Sequence, residues 1–94
     1  MSAPTIIPLR EFEDSRTGFG GWMVTAYNND HNTYEEVMLI LMTATGCSSD
    51  EAYIETWEID HLGKSVVHQG CETECQGVAA VITSIGLHTE VSEA

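Results

Sequence analysis

The start and stop signals of two helices constrain the fold of this chain most strongly. The first helix begins with one of two capping-box patterns, either Asn32 with Glu35 or Thr33 with Glu36. A glycine, Gly46, stops this helix. Between these signals, apolar residues recur at helical spacing and predict one buried stripe: Tyr34, Val37, Met38, Leu41 and Met42.

The second helix follows almost at once. Ser48 with Glu51 forms another capping-box pattern, the helix runs through roughly His61, and Gly63 closes it. The residues on its inward face are expected to be Ala52, Thr56 and Ile59, with Asp60 beside them. Two consecutive helices with a single short connection are therefore predicted.

Strand-like segments surround these helices. Residues 22–27 and 65–68 are rich in β-forming residues, a third helix is predicted to be capped near Thr73 and to end by Gly86, and residues 87–91 can form a closing strand. The order β-α-α-β-α-β predicts an α+β sandwich, with a three-stranded, mostly antiparallel sheet packed against three helices.

The length of 94 residues favours one domain. Residues 1–21 contain both prolines and a Gly-Phe-Gly-Gly segment, which predicts a flexible N-terminal arm, whereas residues 22–94 form the predicted core domain.

Charge and cysteine content exclude several functional classes. Fifteen acidic against three basic residues give a net charge of −12, which disfavours nucleic acid and anionic membranes as partners. No apolar run reaches the roughly 18 residues of a membrane span, and no signal peptide is recognisable at the start. Three cysteines, an odd number, favour a reducing compartment. We therefore expect a cytoplasmic protein.

Two polar segments indicate a recognition site. Asn28, Asn29 and Asp30 crowd the turn after the first strand, and Asp60 and His61 end the second helix. These side chains could serve only to form a turn and a helix end. If the segments face each other, however, their oxygens can hold a cationic group.

These two motifs at this spacing resemble those of ClpS, the adaptor of the Clp proteases. The resemblance runs from about Trp22 towards the C-terminus and weakens after Gly70. An ungapped alignment over residues 27–64 matches the family at Asn28, Asp30, Glu35, Val37, Leu41, Ala52, Gly63 and Lys64.

The resemblance implies a function in binding without catalysis. ClpS proteins bind the N-terminal residue of a substrate with a bulky apolar side chain and hand the substrate to a Clp ATPase of the ClpA or ClpC type. By resemblance, the α-amino group would be bound by Asn28, Asp30, and Asp60 or His61. The side-chain pocket would be lined by Ala26, Asn32, Tyr34, Val37, Thr56, Ile59 and Leu87. No cofactor or metal is implied, and we expect a monomer.

Several positions depart from the family pattern. The amine-binding histidine of the family aligns with Asp60, and His61 follows one position later. Two pocket methionines align with Tyr34 and Thr56, and Asn32 replaces a threonine. The third helix is shorter and lacks the lysine-bearing pattern associated with ATPase docking. These differences predict an altered side-chain selectivity and leave delivery to the ATPase open.

Two alternative classes of function remain. The chain could be an interaction or regulatory module of the same fold that no longer delivers substrates. It could also bind a metal through His68, Cys71 and Cys75, with a fourth ligand from elsewhere. An enzyme is disfavoured, since no phosphate loop, nucleophile elbow or HExxH motif occurs.

Overall fold

The computed structural model describes residues 21–94, so the predicted arm lies outside the described residues except for Gly21. The elements follow the predicted order: β1 (Trp22–Tyr27), α1 (Tyr34–Thr45), α2 (Ser49–Leu62), β2 (Lys64–Gly70), α3 (Glu72–Thr83) and β3 (Thr89–Glu93). The predicted α+β sandwich is confirmed.

Strand β1 lies at the centre of the sheet, whose order is β2-β1-β3 with both pairs antiparallel. Trp22 faces Gly70 on one side and Glu93 on the other. An irregularity in the β1–β2 register lies between Val24 and Thr25. The central position explains why three successive residues of β1, from Val24 to Ala26, are all buried.

The core combines one stripe from each helix with the inner face of the sheet. The buried helix residues are Val37 and Leu41 of α1, Ala52, Thr56 and Ile59 of α2, and Cys75, Val78 and Ile82 of α3. The predicted inward face of α2 is therefore confirmed. In the predicted stripe of α1, Met38 and Met42 are only partly buried and pack at the edge of this core.

The helix starts are set by side-chain caps. At α1, the Oγ1 of Thr33 accepts the N–H of Glu36 at 3.2 Å, and a Glu36 carboxylate oxygen accepts the N–H of Thr33 at 2.9 Å. The structure thus selects the Thr33–Glu36 box. Asn32 supports it by donating its amide to Glu36 at 3.2 Å. Together the Thr33 and Asn32 donors lower the pKa of Glu36 below its usual value.

The second half of the chain differs from the prediction in its boundaries. Helix α3 begins at Glu72 after an N-cap at Cys71, because the N–H of Cys75 already bonds to the Cys71 carbonyl; the prediction of a cap near Thr73 was wrong. The closing strand is also shifted, since Leu87 is buried in the core and pairing with β1 begins at Thr89.

Among residues 21–94, none of the helices combines the length and apolarity that a membrane crossing requires.

Candidate functional site

The loop after β1 and the end of α2 meet at a backbone hydrogen bond. The N–H of Asn28 donates to the carbonyl of Gly63 at 3.0 Å. Gly63 adopts a left-handed conformation with φ of 91°, and its own N–H donates to the Ile59 carbonyl at 3.1 Å. The glycine thereby ends the helix and turns its carbonyl to the loop, which places the two predicted polar segments side by side.

A small cup lies between these segments and the start of α1. Eight of the described residues line it: Asn28, Asn32, Thr33, Tyr34, Val37, Thr56, Ile59 and Asp60. The space measures about 220 Å³, part of which opens to solvent. Val37, Thr56 and Ile59 are buried and form its floor, whereas the remaining side chains form a polar rim. The part that can hold the centre of a water-sized molecule is only about 20 Å³, so the cup in this conformation has room for about one water and must widen to admit a side chain.

Asn29 organises the loop that forms one wall of the cup. Its side-chain oxygen accepts the N–H groups of His31 and Asn32 at 3.2 and 3.1 Å. Its amide donates to the Asn32 side chain at 2.7 Å and to the Gly86 carbonyl at 3.3 Å. Asn29 is therefore the turn former among the three polar residues of this segment, and it also ties the loop to the segment before β3.

Asp60 is the only charged side chain among the eight lining residues, and its side chain is 50% exposed. The hydroxyl of Tyr34 donates to its Oδ2 at 3.3 Å. Partial burial and the nearby Asp60 carboxylate raise the pKa of Tyr34 above its ordinary value. The cup thus combines an apolar floor with one negative charge at its rim.

His61 is directed away from the cup. Its ring stacks on Trp57 with centroids 4.2 Å apart, and its Nδ1 lies 3.0 Å from the Trp57 carbonyl oxygen. The same Nδ1 approaches Asp60 Oδ2 at 3.5 Å. Of the two candidates for the amine-facing residue, Asp60 lines the cup and His61 lies on its outer side.

The other predicted site residues occupy different surroundings. Ala26 and Leu87 are fully buried core residues, and Asp30 is an exposed loop residue outside the eight that line the cup. The predicted binding roles of these residues stay predictions. Thr33 lines the cup but was absent from the predicted site; its sequence signal marked only a helix cap.

The proposed metal ligands take different roles. Within residues 21–94, no three histidine, cysteine or acidic side chains come together as metal ligands. His68 Nε2 lies 3.3 Å from the Glu74 carboxylate. Cys75 is buried, which raises the pKa of its thiol and keeps it protonated, whereas Cys71 is exposed.

Comparisons with known proteins agree with this architecture. The family profile described as ATP-dependent Clp protease adaptor protein ClpS matches residues 20–90. The structure of Agrobacterium tumefaciens ClpS2 bound to L-phenylalaninamide superimposes with a TM-score of 0.73 at 19% identity, over 78% of this chain and 95% of that one. No curated protein sequence matches the chain.

The described residues form a small domain with the fold of the ClpS2 structure. Because the profile spans most of the sequence, the chain belongs to the ClpS family of Clp protease adaptors, which is not a family of enzymes. The membership agrees with the resemblance carried by the two polar motifs.

Proposed function

We propose that this protein binds the N-terminal residue of substrate proteins through their free α-amino group and their first side chain. One observation supports the proposal: the Asp60 carboxylate and the buried Val37 and Ile59 line the same cup. Related ClpS2 binds L-phenylalaninamide, which combines an amine with an apolar side chain.

The chemistry of the cup matches such a ligand. An α-ammonium offers three donors, and the Asp60 carboxylate and the Asn28 side-chain oxygen are suitable acceptors. A charge-assisted hydrogen bond contributes about 1.5–3 kcal/mol, and burial of one large apolar side chain contributes about 1.5–3 kcal/mol. After the entropic cost of association, we expect binding in roughly the micromolar range.

The binding experiment is a calorimetric titration with short peptides that begin with Leu, Phe, Tyr or Trp. Each peptide is paired with an N-acetylated copy, which keeps the side chain but lacks the charge. We expect binding by at least one free peptide and at least about tenfold weaker binding by its acetylated copy. Equal affinities would overturn amine recognition.

Delivery of the bound substrate to a Clp ATPase of the ClpA or ClpC type is the second part of the proposal. We propose that the protein acts in the cytoplasm and as a monomer. Family membership supports the adaptor role. Substrate with a suitable first residue should be degraded faster by the ATPase and its protease when this protein is added, and an acetylated substrate should not.

A second candidate function is a regulatory or interaction module that no longer delivers substrates. Helix α3 favours this alternative because it carries no lysine or arginine, in contrast to the family's lysine-bearing pattern. A pull-down with the Clp ATPase separates the two. Failure to associate, with and without a peptide in the cup, would favour the module.

A further inference from the structure

We propose that the Tyr34 hydroxyl competes with the ammonium group of a ligand for the Asp60 carboxylate. In the unbound protein the hydroxyl donates a hydrogen bond to this carboxylate, and an incoming ammonium must displace it. The inference rests on the proposed function of the cup. It assigns Tyr34 the role of a specificity-determining residue that tunes affinity through Asp60.

The contact joins two helices across the rim. Tyr34 is the first residue of α1, and Asp60 lies near the end of α2. Both line the cup, and the Tyr34 hydroxyl donates to Asp60 Oδ2 at 3.3 Å. The capping box at Thr33 fixes the backbone next to Tyr34, which restricts where the Tyr34 ring can lie.

The aromatic ring has a second contact that restrains it over the rim. Its centroid lies 6.1 Å from that of Tyr53, with the ring planes at 52°. This separation and angle are typical of a favourable aromatic pair. The ring therefore stays near the rim even when its hydroxyl loses a partner.

The hydrogen bond to Asp60 is suited to exchange. A distance of 3.3 Å is long for a hydroxyl donor to a carboxylate, which prefers about 2.5–2.7 Å. The Asp60 side chain is 50% exposed, so a ligand reaches it from solvent. An ammonium brings a full charge and three donors where the phenol brings one neutral donor.

The exchange has a consequence for selectivity. A ligand that displaces the Tyr34 hydroxyl leaves His61 Nδ1, 3.5 Å away, as the remaining neighbour of Asp60 Oδ2, and only a ligand with a cationic amine brings a charged donor in place of the phenol. Every ligand therefore loses binding free energy by displacing the Tyr34 hydroxyl, and only a cationic ligand regains it through its own contact with Asp60. The hydroxyl thus weakens the binding of uncharged apolar groups more than the binding of amines.

The test is a mutant cycle measured with the tightest-binding of the free-amine peptides that begin with Leu, Phe, Tyr or Trp. Tyr34→Phe keeps the ring and removes only the hydroxyl, and we expect about two- to fivefold tighter binding. In the Asp60→Ala background the same substitution should change the affinity by less than about 1.5-fold, since the competitor no longer has a carboxylate to occupy. Weaker or unchanged binding by Tyr34→Phe in the unmutated background would overturn the proposal.

A measurement without ligand separates this inference from the proposed function. The chain has three tyrosines, and the difference between the absorbance titrations of the unmutated protein and Tyr34→Phe isolates Tyr34. The pKa of Tyr34 should fall in Asp60→Ala, because the carboxylate that opposes ionisation of the phenol is gone. An unchanged titration would show that the pair does not form in solution. If the pKa falls but no peptide binds, the function of the cup is wrong and the contact itself stands.

Discussion

The N–H of Asn28 donates to the carbonyl of Gly63 at 3.0 Å, and this bond joins the loop after β1 to the end of α2. Gly63 can present that carbonyl because it adopts a positive φ of 91°, where a Cβ atom is unfavourable. Apart from Gly63 and its two chain neighbours, no heavy atom of residues 21–94 lies within 4 Å of an added Cβ, so the cost of substitution is conformational.

We therefore predict that Gly63→Ala lowers the free energy of unfolding by about 1–2 kcal/mol. Gly77 in α3 is the matched control, because it also has open space around an added Cβ but lies in a helix interior. Gly77→Ala should stabilise the protein by about 0.5–1 kcal/mol. Urea denaturation of both variants measures the difference, and effects of the same sign would contradict the argument.

Asp60→Asn should weaken binding of free-amine peptides about tenfold, because a neutral amide forms a weaker hydrogen bond to an ammonium than a carboxylate does. Glu93→Gln removes the same charge from the exposed end of β3 and serves as the control. Calorimetry on both variants tests the prediction. A similar loss in Glu93→Gln would indicate general attraction by the acidic surface rather than a contact in the cup.

Asn29→Ala should lower both stability and peptide affinity. The substitution removes two acceptor bonds to backbone N–H groups and two donor bonds, to Asn32 and Gly86. We expect a loss of about 1–3 kcal/mol in the free energy of unfolding.

Asn29→Asp provides the graded control, because a carboxylate keeps the acceptor but loses both donors. Its stability by urea denaturation should fall between those of the unmutated protein and Asn29→Ala. A stable Asn29→Ala protein with unmodified affinity would show that the loop does not depend on this side chain.

The ionisation of Glu55 should make the free energy of unfolding depend on pH. Burial, followed by the charges of Glu51 and Glu58, raises its pKa from 4.5 to about 7. Well below pH 4.5 the carboxyl is protonated in both the folded and the unfolded state. As the pH rises towards 7 the unfolded state ionises first, so this group progressively destabilises the fold.

Glu55→Gln should consequently raise the free energy of unfolding at pH 8 and have little effect at pH 4. We expect a gain of about 1 kcal/mol, because the side chain is only half-buried and solvent screens its charge. Glu93→Gln is again the control for net charge. Equal gains by both variants at pH 8 would attribute the effect to the overall charge of −12 rather than to Glu55.

The sequence was sufficient to predict the elements whose signals are local. Polar caps and glycine stops bounded α1 and α2, and apolar spacing identified the inward face of α2. The same approach was wrong at the start of α3, because Thr73 is a good capping residue by type while the chain leaving β2 already begins the helix after Cys71. Because β2 ends at Gly70 and α3 begins at Glu72, only Cys71 connects them, and it is the N-cap although its side chain makes no capping hydrogen bond.

The sequence by itself determined the element order, the ClpS family motifs and the set of polar groups available to a binding site. Only the tertiary structure decided how those groups are used. Asp60 lines the cup, whereas His61 turns outward onto Trp57, although the two are adjacent in the chain. Successive helical residues point in directions about 100° apart, and only the packing of α2 against α1 and the β1 loop decides which direction meets the cup.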